Sequence, residues 1–529
     1  MPVEEGWVPY RLRLAYSVGH IQNDLHASVW FSYFLLYLHQ VKNFNNIWAG
    51  TLLLLGQVVD AIATPLIGYE SDNRNGCCNY GKRKSWHLFG TSCLLHLAFT
   101  FIFIKCINCT NETPDYVQFI YYGAFVIIFQ IGWASVQISH LSLIPELTSC
   151  ENQKTGLIGW RYAATGFSSL LTYAIAWVLL SAGSNAVTTD DLGPGDSDSF
   201  RNLALIATGT GLFFSVIFSL GSPEPKRMED ELRKVTDEDG MASVERSMLL
   251  HDRKRTICSW FKDIRFYQVA LVYMCTRLYV NMSQVYLPIY LTETMKLDKT
   301  SIANVPLVCY GSSFLTSIVI KMVDRNLGRK LSYLIGTVIA LGASTLLYFI
   351  PSGTLWMVYL AAVIIGIGGS LMLVTSLSIV ADLIGNSTDS GAFVYGAMSF
   401  TDKLANGIAV EIIQIFHPCV ACCPACGPYY RHILSFVPGG SAFFALVGLA
   451  WIVCTSARTR ASAGPALLHD PTSGLPGSSY LEENKITSHV NGSVPTDSDA
   501  SDSESAPLIQ KNLLKSSNQA NGYAWITKA

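Results

Sequence analysis

The chain of 529 residues is 50% hydrophobic and only 14% charged, with a mean hydropathy of +0.32, against roughly a quarter charged in ordinary soluble domains. Its 36 Lys and Arg against 38 Asp and Glu leave a formal net charge of -2, so no basic field exists to attract nucleic acid. The 14 cysteines are too sparse for a disulfide-built scaffold, and a soluble globule could not cover itself with so few charges, which leaves an all-α polytopic membrane protein.

Apolar runs of about 20 residues predict twelve transmembrane helices near 14–40, 47–69, 85–105, 116–146, 157–182, 202–221, 265–292, 302–321, 331–350, 355–385, 391–416 and 432–455. The first span holds His20, Asn23 and Asp24 and lacks a cleavage site, so it reads as a retained helix. The charged stretch 222–262 divides the spans six and six, giving halves at 1–221 and 263–455. The tail 456–529 is rich in Ser, Gly, Asn and Pro and is expected to be disordered.

Orientation follows from the basic residues, which favour cytosolic loops. With both termini cytosolic, 27 of the 36 Lys and Arg fall on the cytosolic side and six on the other. The sequons at Asn108 and Asn111 then lie on the lumenal or extracellular side, where glycosylation occurs. No phosphate loop, nucleophile elbow or soluble zinc module is present in the sequence, so neither enzyme chemistry nor a cofactor or resident metal is expected.

A charge at mid-bilayer costs on the order of 2.5 to 3.5 kcal/mol. Spans three, six, nine and twelve carry no charge in their interiors, whereas one, two, five, seven and eleven hold Asp24, Asp60, Arg161, Arg277, and Asp402, Lys403 and Glu411. Residues three or four apart share a helix face. That spacing aligns His20, Asn23, Asp24 and Ser28; Gln57, Asp60 and Thr64; Gln130, Trp133 and Gln137; Arg161, Thr165, Ser168 and Thr172; Arg277, Asn281 and Gln284; and Ser399, Lys403 and Asn406. A lone Ser or Thr is explained by interhelical hydrogen bonding. The charges point instead to a wet pathway or binding site.

The loops Gly68-Tyr-Glu-Ser-Asp72 with Gly81-Lys82-Arg83-Lys84, and Asp324-Arg325-Asn326-Leu327-Gly328-Arg329-Lys330, resemble the two copies of the loop motif of the major facilitator superfamily. The resemblance implies two pseudo-symmetric six-helix halves, with the third, sixth, ninth and twelfth helices outside the transport path. It also implies that Asp72, Arg83, Asp324, Arg325 and Arg329 gate the cytosolic face. Span two, Asp60-Ala-Ile-Ala-Thr64-Pro65-Leu-Ile-Gly68, is similar to the glycoside-pentoside-hexuronide cation symporter branch, which places substrate and coupling residues where Asp24, Arg161 and Lys403 stand. Thr64 replaces that branch's second acid, which weakens a sodium site built from several oxygen ligands.

Gly19-His20-Ile-Gln-Asn23-Asp24-Leu, Ile131-Gly-Trp133 through Pro145-Glu146-Leu, Ser390-Gly-Ala-Phe-Val-Tyr395-Gly-Ala-Met-Ser-Phe400 and His417-Pro418-Cys419 resemble the vertebrate melanosomal and lysosomal cysteine transporters of this superfamily. That implies cysteine import from cytosol into an acidic organelle, with protons as a candidate coupling ion and an effect on pigment. A zwitterion needs a cation and an anion at fixed separation. Arg161, Arg277 or Lys403 can meet its carboxylate, Asp24 or Asp60 its ammonium, and Trp133 and Tyr395 can flank its thiol. Asn23, Gln137, Asn281 and Gln284 complete the candidate set. A buried Asp60 is also a candidate proton carrier. A sugar or lysolipid cargo, or a non-transporting membrane sensor or scaffold, are the competing readings.

Glu245-Arg-Ser-Met-Leu249-Leu250 and Glu504-Ser-Ala-Pro-Leu508-Ile509 resemble acidic dileucine signals that adaptor complexes read to sort proteins to lysosomes. Cys419, Cys422, Cys423 and Cys426 form C-x-x-C-C-x-x-C, and Cys106 and Cys109 lie in the sequon loop. Zinc fits such spacing, but the predicted non-cytosolic side favours disulfides.

Overall fold

Gly19 and His20 interrupt the first span, which runs as α1 (Tyr10–Val18) and α2 (Ile21–Leu36) and tightens into a π-helical turn at Tyr37–Val41. In this computed structural model the described residues are 8–73, 80–110, 113–148, 150–183, 191–222, 257–384, 391–418 and 426–462. All fall within residues 1–464, the first of two units into which the chain divides. Residues 456–462 of the expected tail are helical, continuing the last helix; residues 463–529, the sorting motifs at 245–250 and 504–509, Asn111, Cys419, Cys422 and Cys423 lie outside the described residues.

The remaining helices follow in order. The first half continues with α3 (Asn46–Asn73), α4 (Lys82–Phe89) joined through the π segment Gly90–Leu95 to α5 (His96–Ile102), α6 (Asp115–Ser142), α7 (Ile144–Leu147), α8 (Glu151–Gly183) and α9 (Ser197–Gly221). After α10 (Ile257–Phe261) the second half holds α11 (Ile264–Ile289) with a π turn at Tyr290–Thr294, α12 (Ser301–Leu327), α13 (Arg329–Phe349), α14 (Leu355–Ile384), α15 (Gly391–Ile415) and α16 (Cys426–Ser462). The last helix starts earlier and ends later than the apolar run at 432–455; Cys426 and Tyr430 in its added first turns are buried.

Nine helices among the described residues are long and apolar enough to cross a membrane. The three predicted spans that fall short by that measure are the first, the seventh and the eleventh, which carry His20 and Asp24, Arg277, and Asp402 with Lys403. Their polarity is tolerated because those side chains face other helices rather than lipid. The opposite holds for α9 and α16, whose Phe213, Val216 and Leu220, and Phe443, Phe444 and Val447, are exposed along one apolar face. Such faces suit hydrocarbon.

The two halves repeat one another in detail. At the end of the first span Lys42 and Phe44 donate backbone bonds to Tyr37 and Leu38, and at the end of the seventh Met295 and Leu297 donate to Tyr290 and Leu291. Asn43 and Lys296, the residues between, both have positive φ, 50° and 54°. In this register Asp24 corresponds to Arg277 and Gln40 to Glu293. Across the halves α3 packs along α15, α8 along α12 and α2 against α11. Close approach is needed at Gly166, where a Cβ would collide with Phe314, and at Gly366, where it would collide with the Cys309 carbonyl.

Candidate functional site

Three charged clusters form along the helices that the polar stripes mark. In the first, α2 and α8 bring His20, Asp24, Arg161 and Thr165 together. Arg161 Nη2 lies 2.8 Å from His20 Nε2, and His20 Nδ1 lies 3.0 Å from Asp24 Oδ2, which also accepts from Thr165 Oγ1 at 2.9 Å. A guanidinium can only donate, so His20 Nε2 accepts, whereas Nδ1 lies 3.0 Å from Asp24 Oδ2 without the geometry of a hydrogen bond. The imidazole thus stands between a buried cation and a buried anion, 8% and 7% exposed. Arg161 Nε is buried and has no hydrogen-bond partner among the described residues. Asn23 Nδ2 donates to the Trp133 carbonyl at 3.2 Å, and Trp133 Nε1 donates to Gln137 at 3.1 Å, so α6 closes one side.

The second cluster crosses between the halves. Lys403 Nζ is 2.7 Å from Asp60 Oδ2 and donates to Thr64 Oγ1 at 3.0 Å, while Thr64 donates to Asp60 Oδ1 at 3.0 Å. Asp60 is therefore held by a cation from the other half. The third cluster lies within the second half, where Arg277 Nε donates to Asp402 Oδ2 at 2.9 Å and Asn406 Nδ2 to Asp402 Oδ1 at 2.7 Å. Asp402 and Lys403 are neighbours in sequence yet serve different clusters, since successive helical residues point about 100° apart.

Further along α2 and α11, Gln284 Nε2 lies 3.3 Å from both Ser32 Oγ and Tyr173 OH, and those two oxygens are 2.6 Å apart. Asn281 is buried on the same helix. Tyr395 stands on α15 in the second half, and no hydrogen bond or ring contact among the described residues joins it to the first cluster. Tyr162 and Tyr395 are 51% and 41% exposed.

At the end away from Gly81 and Gly328 the halves are tied together. Gln40 Nε2 donates to Glu293 Oε1 and Thr292 Oγ1, both at 2.8 Å, and Tyr33 OH donates to the Ile302 carbonyl at 3.1 Å. Lys299 Nζ reaches Asp196 Oδ1 at 3.0 Å, both side chains being buried, and Asn46 Nδ2 donates to His417 Nδ1 at 2.8 Å. Nothing in the sequence marked Asp196 and Lys299 as partners, because each lies in a loop far from the other in the chain. Cys106 and Cys109 are joined by a disulfide in the exposed loop that carries Asn108, and Cys426 is buried at the start of α16.

The two motif loops make matching ties at the other end. Arg83 donates to Glu146 Oε1 at 3.2 Å and to Ser71 Oγ at 2.6 Å, and Lys84 donates to the Ser219 carbonyl at 2.8 Å. In the second half Arg329 pairs with Asp382, and Lys330 lies 3.4 Å from Ser456 Oγ. The arginines reach the fourth and tenth spans, the lysines the sixth and twelfth. Glu146 and Asp382 were visible as charges near span ends, and the motif did not name them as partners. The side chains of Asp72, Asp324 and Arg325 lie outside the described residues.

Two repeated helical halves, buried charges between them and apolar faces outward define a polytopic membrane transporter. A family model described as MFS/sugar transport protein matches residues 15–416, and the chain belongs to that family. It is 45% identical to Major facilitator superfamily domain-containing protein 12 of Homo sapiens, over 84% of this chain and 92% of that one. With the Uncharacterized symporter sll1374 of Synechocystis the identity is 23%, over 77% and 85% of the two chains. Among solved structures, a D-xylose-proton symporter superposes with a TM-score of 0.60 at 15% identity, covering 82% of this chain and 97% of that one. A bacterial homolog to the human lysosomal transporter Spinster, inward-facing and unoccupied, gives 0.59 at 13% identity, covering 84% and 96%. These two likenesses concern the fold.

Proposed function

We propose that this transporter carries cysteine from the cytosol into lysosomes and melanosomes by alternating access, supporting lumenal cystine pools and pigment synthesis. The observation that carries the reading is the Arg161–His20–Asp24 arrangement: a buried cation with a spare donor and a buried anion, separated by one imidazole ring. A zwitterionic amino acid can set its carboxylate on Arg161 and its ammonium beside Asp24. Asp60 with Lys403, and Arg277 with Asp402, are already paired and serve coupling and helix movement in this reading. With the Gly81 and Gly328 loops cytosolic, as the basic residues favour, the sealed end faces the lumen. An acidic lumen drives a proton symporter outward, so import runs by antiport, by uniport or by consumption of lumenal cysteine.

Labelled cysteine uptake by isolated lysosomes tests the reading. A hydrogen bond to a charged group contributes about 1.5 to 3 kcal/mol, so Arg161→Ala should lower uptake roughly ten- to hundredfold. Uptake equal to wild type would remove Arg161 from the site. Excess sugar or lysolipid that abolishes cysteine uptake would instead favour the cargo of the wider branch. Removal of residues 461–529 should spare transport, whereas a scaffold acting through its tail would fail. Adaptor reading of Glu245, Leu249 and Leu250 predicts that Leu249→Ala with Leu250→Ala moves the protein to the cell surface. Unchanged lysosomal residence would exclude that signal.

A further inference from the structure

Three buried histidines gather at the break between α1 and α2, and their hydrogen bonds divide them by role. His87 Nε2 and His140 Nε2 contact the carbonyls of Gly19 and Tyr16. A carbonyl only accepts, so both rings donate there and their protons are committed to the backbone. No backbone group among the described residues bonds the His20 ring, whose nitrogens face two charges instead, Arg161 at Nε2 and Asp24 at Nδ1. The other groups nearby are already engaged. Tyr16 on α1 stacks on His140 of α6, with 4.2 Å between ring centres, and the His140 ring is 5.5 Å from that of His20. Lys84, one turn before His87 on α4, donates to the Ser219 carbonyl. From α9 the Phe218 ring packs on His87 and His140. Asp60 on α3 and Arg277 on α11 are paired with Lys403 and Asp402.

The 2.8 Å contact with Arg161 needs a lone pair on His20 Nε2. A guanidinium has five donors and no acceptor, and a protonated imidazole donates at both nitrogens. Once His20 is protonated, that contact sets N–H against N–H and cation against cation, so the guanidinium has to turn away. Nδ1 meanwhile becomes the positive partner of Asp24 Oδ2, 3.0 Å off. Both changes act against a bound zwitterion. Arg161 loses the pose that leaves its buried Nε available to a carboxylate, and Asp24 takes the imidazolium in place of an ammonium.

We infer that His20 carries the proton that this site exchanges for its cargo: an imidazolium at His20 and a zwitterion held by Arg161 and Asp24 exclude one another. This coupling rests on the zwitterion reading of the site, and it selects antiport among the modes of import. On the cytosolic side cysteine binds and His20 gives its proton to the cytosol. On the lumenal side a proton from the lumen takes Nε2, both charged groups release the cargo, and cysteine leaves. The empty carrier returns with the proton, so one proton leaves the lumen for each cysteine that enters.

Cysteine binding to the purified full-length protein at pH 7.0 and 5.0, where free cysteine stays a zwitterion, tests the exclusion. One obligatory proton changes an affinity by up to about tenfold per pH unit, so wild type should bind about tenfold or more weakly at pH 5.0. His20→Gln keeps an acceptor for Arg161 and a donor toward Asp24 but takes no proton, and its affinity should be the same at both values. In proteoliposomes at pH 5.0 inside and 7.0 outside, wild type should accumulate labelled cysteine above the outside concentration, whereas His20→Gln should exchange cysteine and only equilibrate it. Tighter binding by wild type at pH 5.0 would mean that an imidazolium and Arg161 share the carboxylate, and overturns antiport. Equal wild-type affinity at the two values, the same pH dependence in His20→Gln, or equilibration without accumulation by wild type also overturns it. The two wild-type measurements decide even where His20→Gln fails to fold. Cysteine uptake with a pH-independent affinity removes the proton from His20 and leaves the cargo reading standing, whereas no cysteine binding at either pH overturns the cargo reading and the exchange together.

Discussion

Asp60 and Lys403 illustrate what a buried charge means in this protein. Each would be costly alone, and removal of one partner from a buried pair typically destabilises by about 3 to 5 kcal/mol. Asp60→Asn and Lys403→Met should therefore each lower the unfolding midpoint of the detergent-solubilised protein, whereas the double variant should recover most of the loss. Additive losses would mean that the 2.7 Å contact contributes little. At this scale the sequence is informative about which residues are buried ions and poor about whom they meet. A charge inside an apolar run is visible at once, but helical periodicity gives a face and not the neighbour across it. Asp402 and Lys403 make the point, since adjacent residues point at Arg277 and Asp60 in different halves. His20 was readable as part of a polar stripe; its place between Arg161 and Asp24 depends on α8 and was not.

Among the elements, the motif loops show how local geometry fixes a helix start. Gly81 and Gly328 precede α4 and α13 with φ of 108° and 79°, a region that side chains disfavour. Gly81→Ala and Gly328→Ala should each cost about 1 to 2 kcal/mol by this strain, read as a lower unfolding midpoint. If either is neutral, the turn is not held at positive φ in the membrane. Arg83 and Arg329 sit within two residues of these glycines, so both substitutions should also loosen the arginine contacts. Apolar length was sufficient to find most spans. The ends were less readable, because α16 and α8 extend past the apolar runs at 432–455 and 157–182 through polar residues such as Asn152, Gln153 and Ser456. The break between α1 and α2 had no clear local signal beyond Gly19. His87 Nε2 lies 3.1 Å from the Gly19 carbonyl and His140 Nε2 lies 2.8 Å from that of Tyr16, so side chains from α4 and α6 satisfy the backbone there.

For the molecule as a whole, the contacts Gln40–Glu293, Lys299–Asp196 and Asn46–His417 hold one end of the interface shut. Spin labels at Ile47 and Asp298, both surface positions near that end, should give a narrow distance distribution in the parent. Asp196→Asn together with Lys299→Gln should broaden it toward longer distances, since an ion pair is replaced by two neutral amides. An unchanged distribution would assign the seal to packing alone. The two-half arrangement was readable from the loop repeats and the central charged stretch. The seal was not, because its residues are ordinary polar side chains in loops and helix ends.

The meeting of Gln40 with Glu293 has a consequence for how such a chain can arise. In the register set by the two π turns these residues are counterparts, and they touch, so the pseudo-dyad between the halves runs close to their contact. Two identical copies joined in tandem, or assembled as a homodimer, would have set the same residue against itself at that point. Two glutamates would repel there. Divergence on the axis, with an amide donor on one side and a carboxylate acceptor on the other, is what a fused duplicate needs before its sealed state can form.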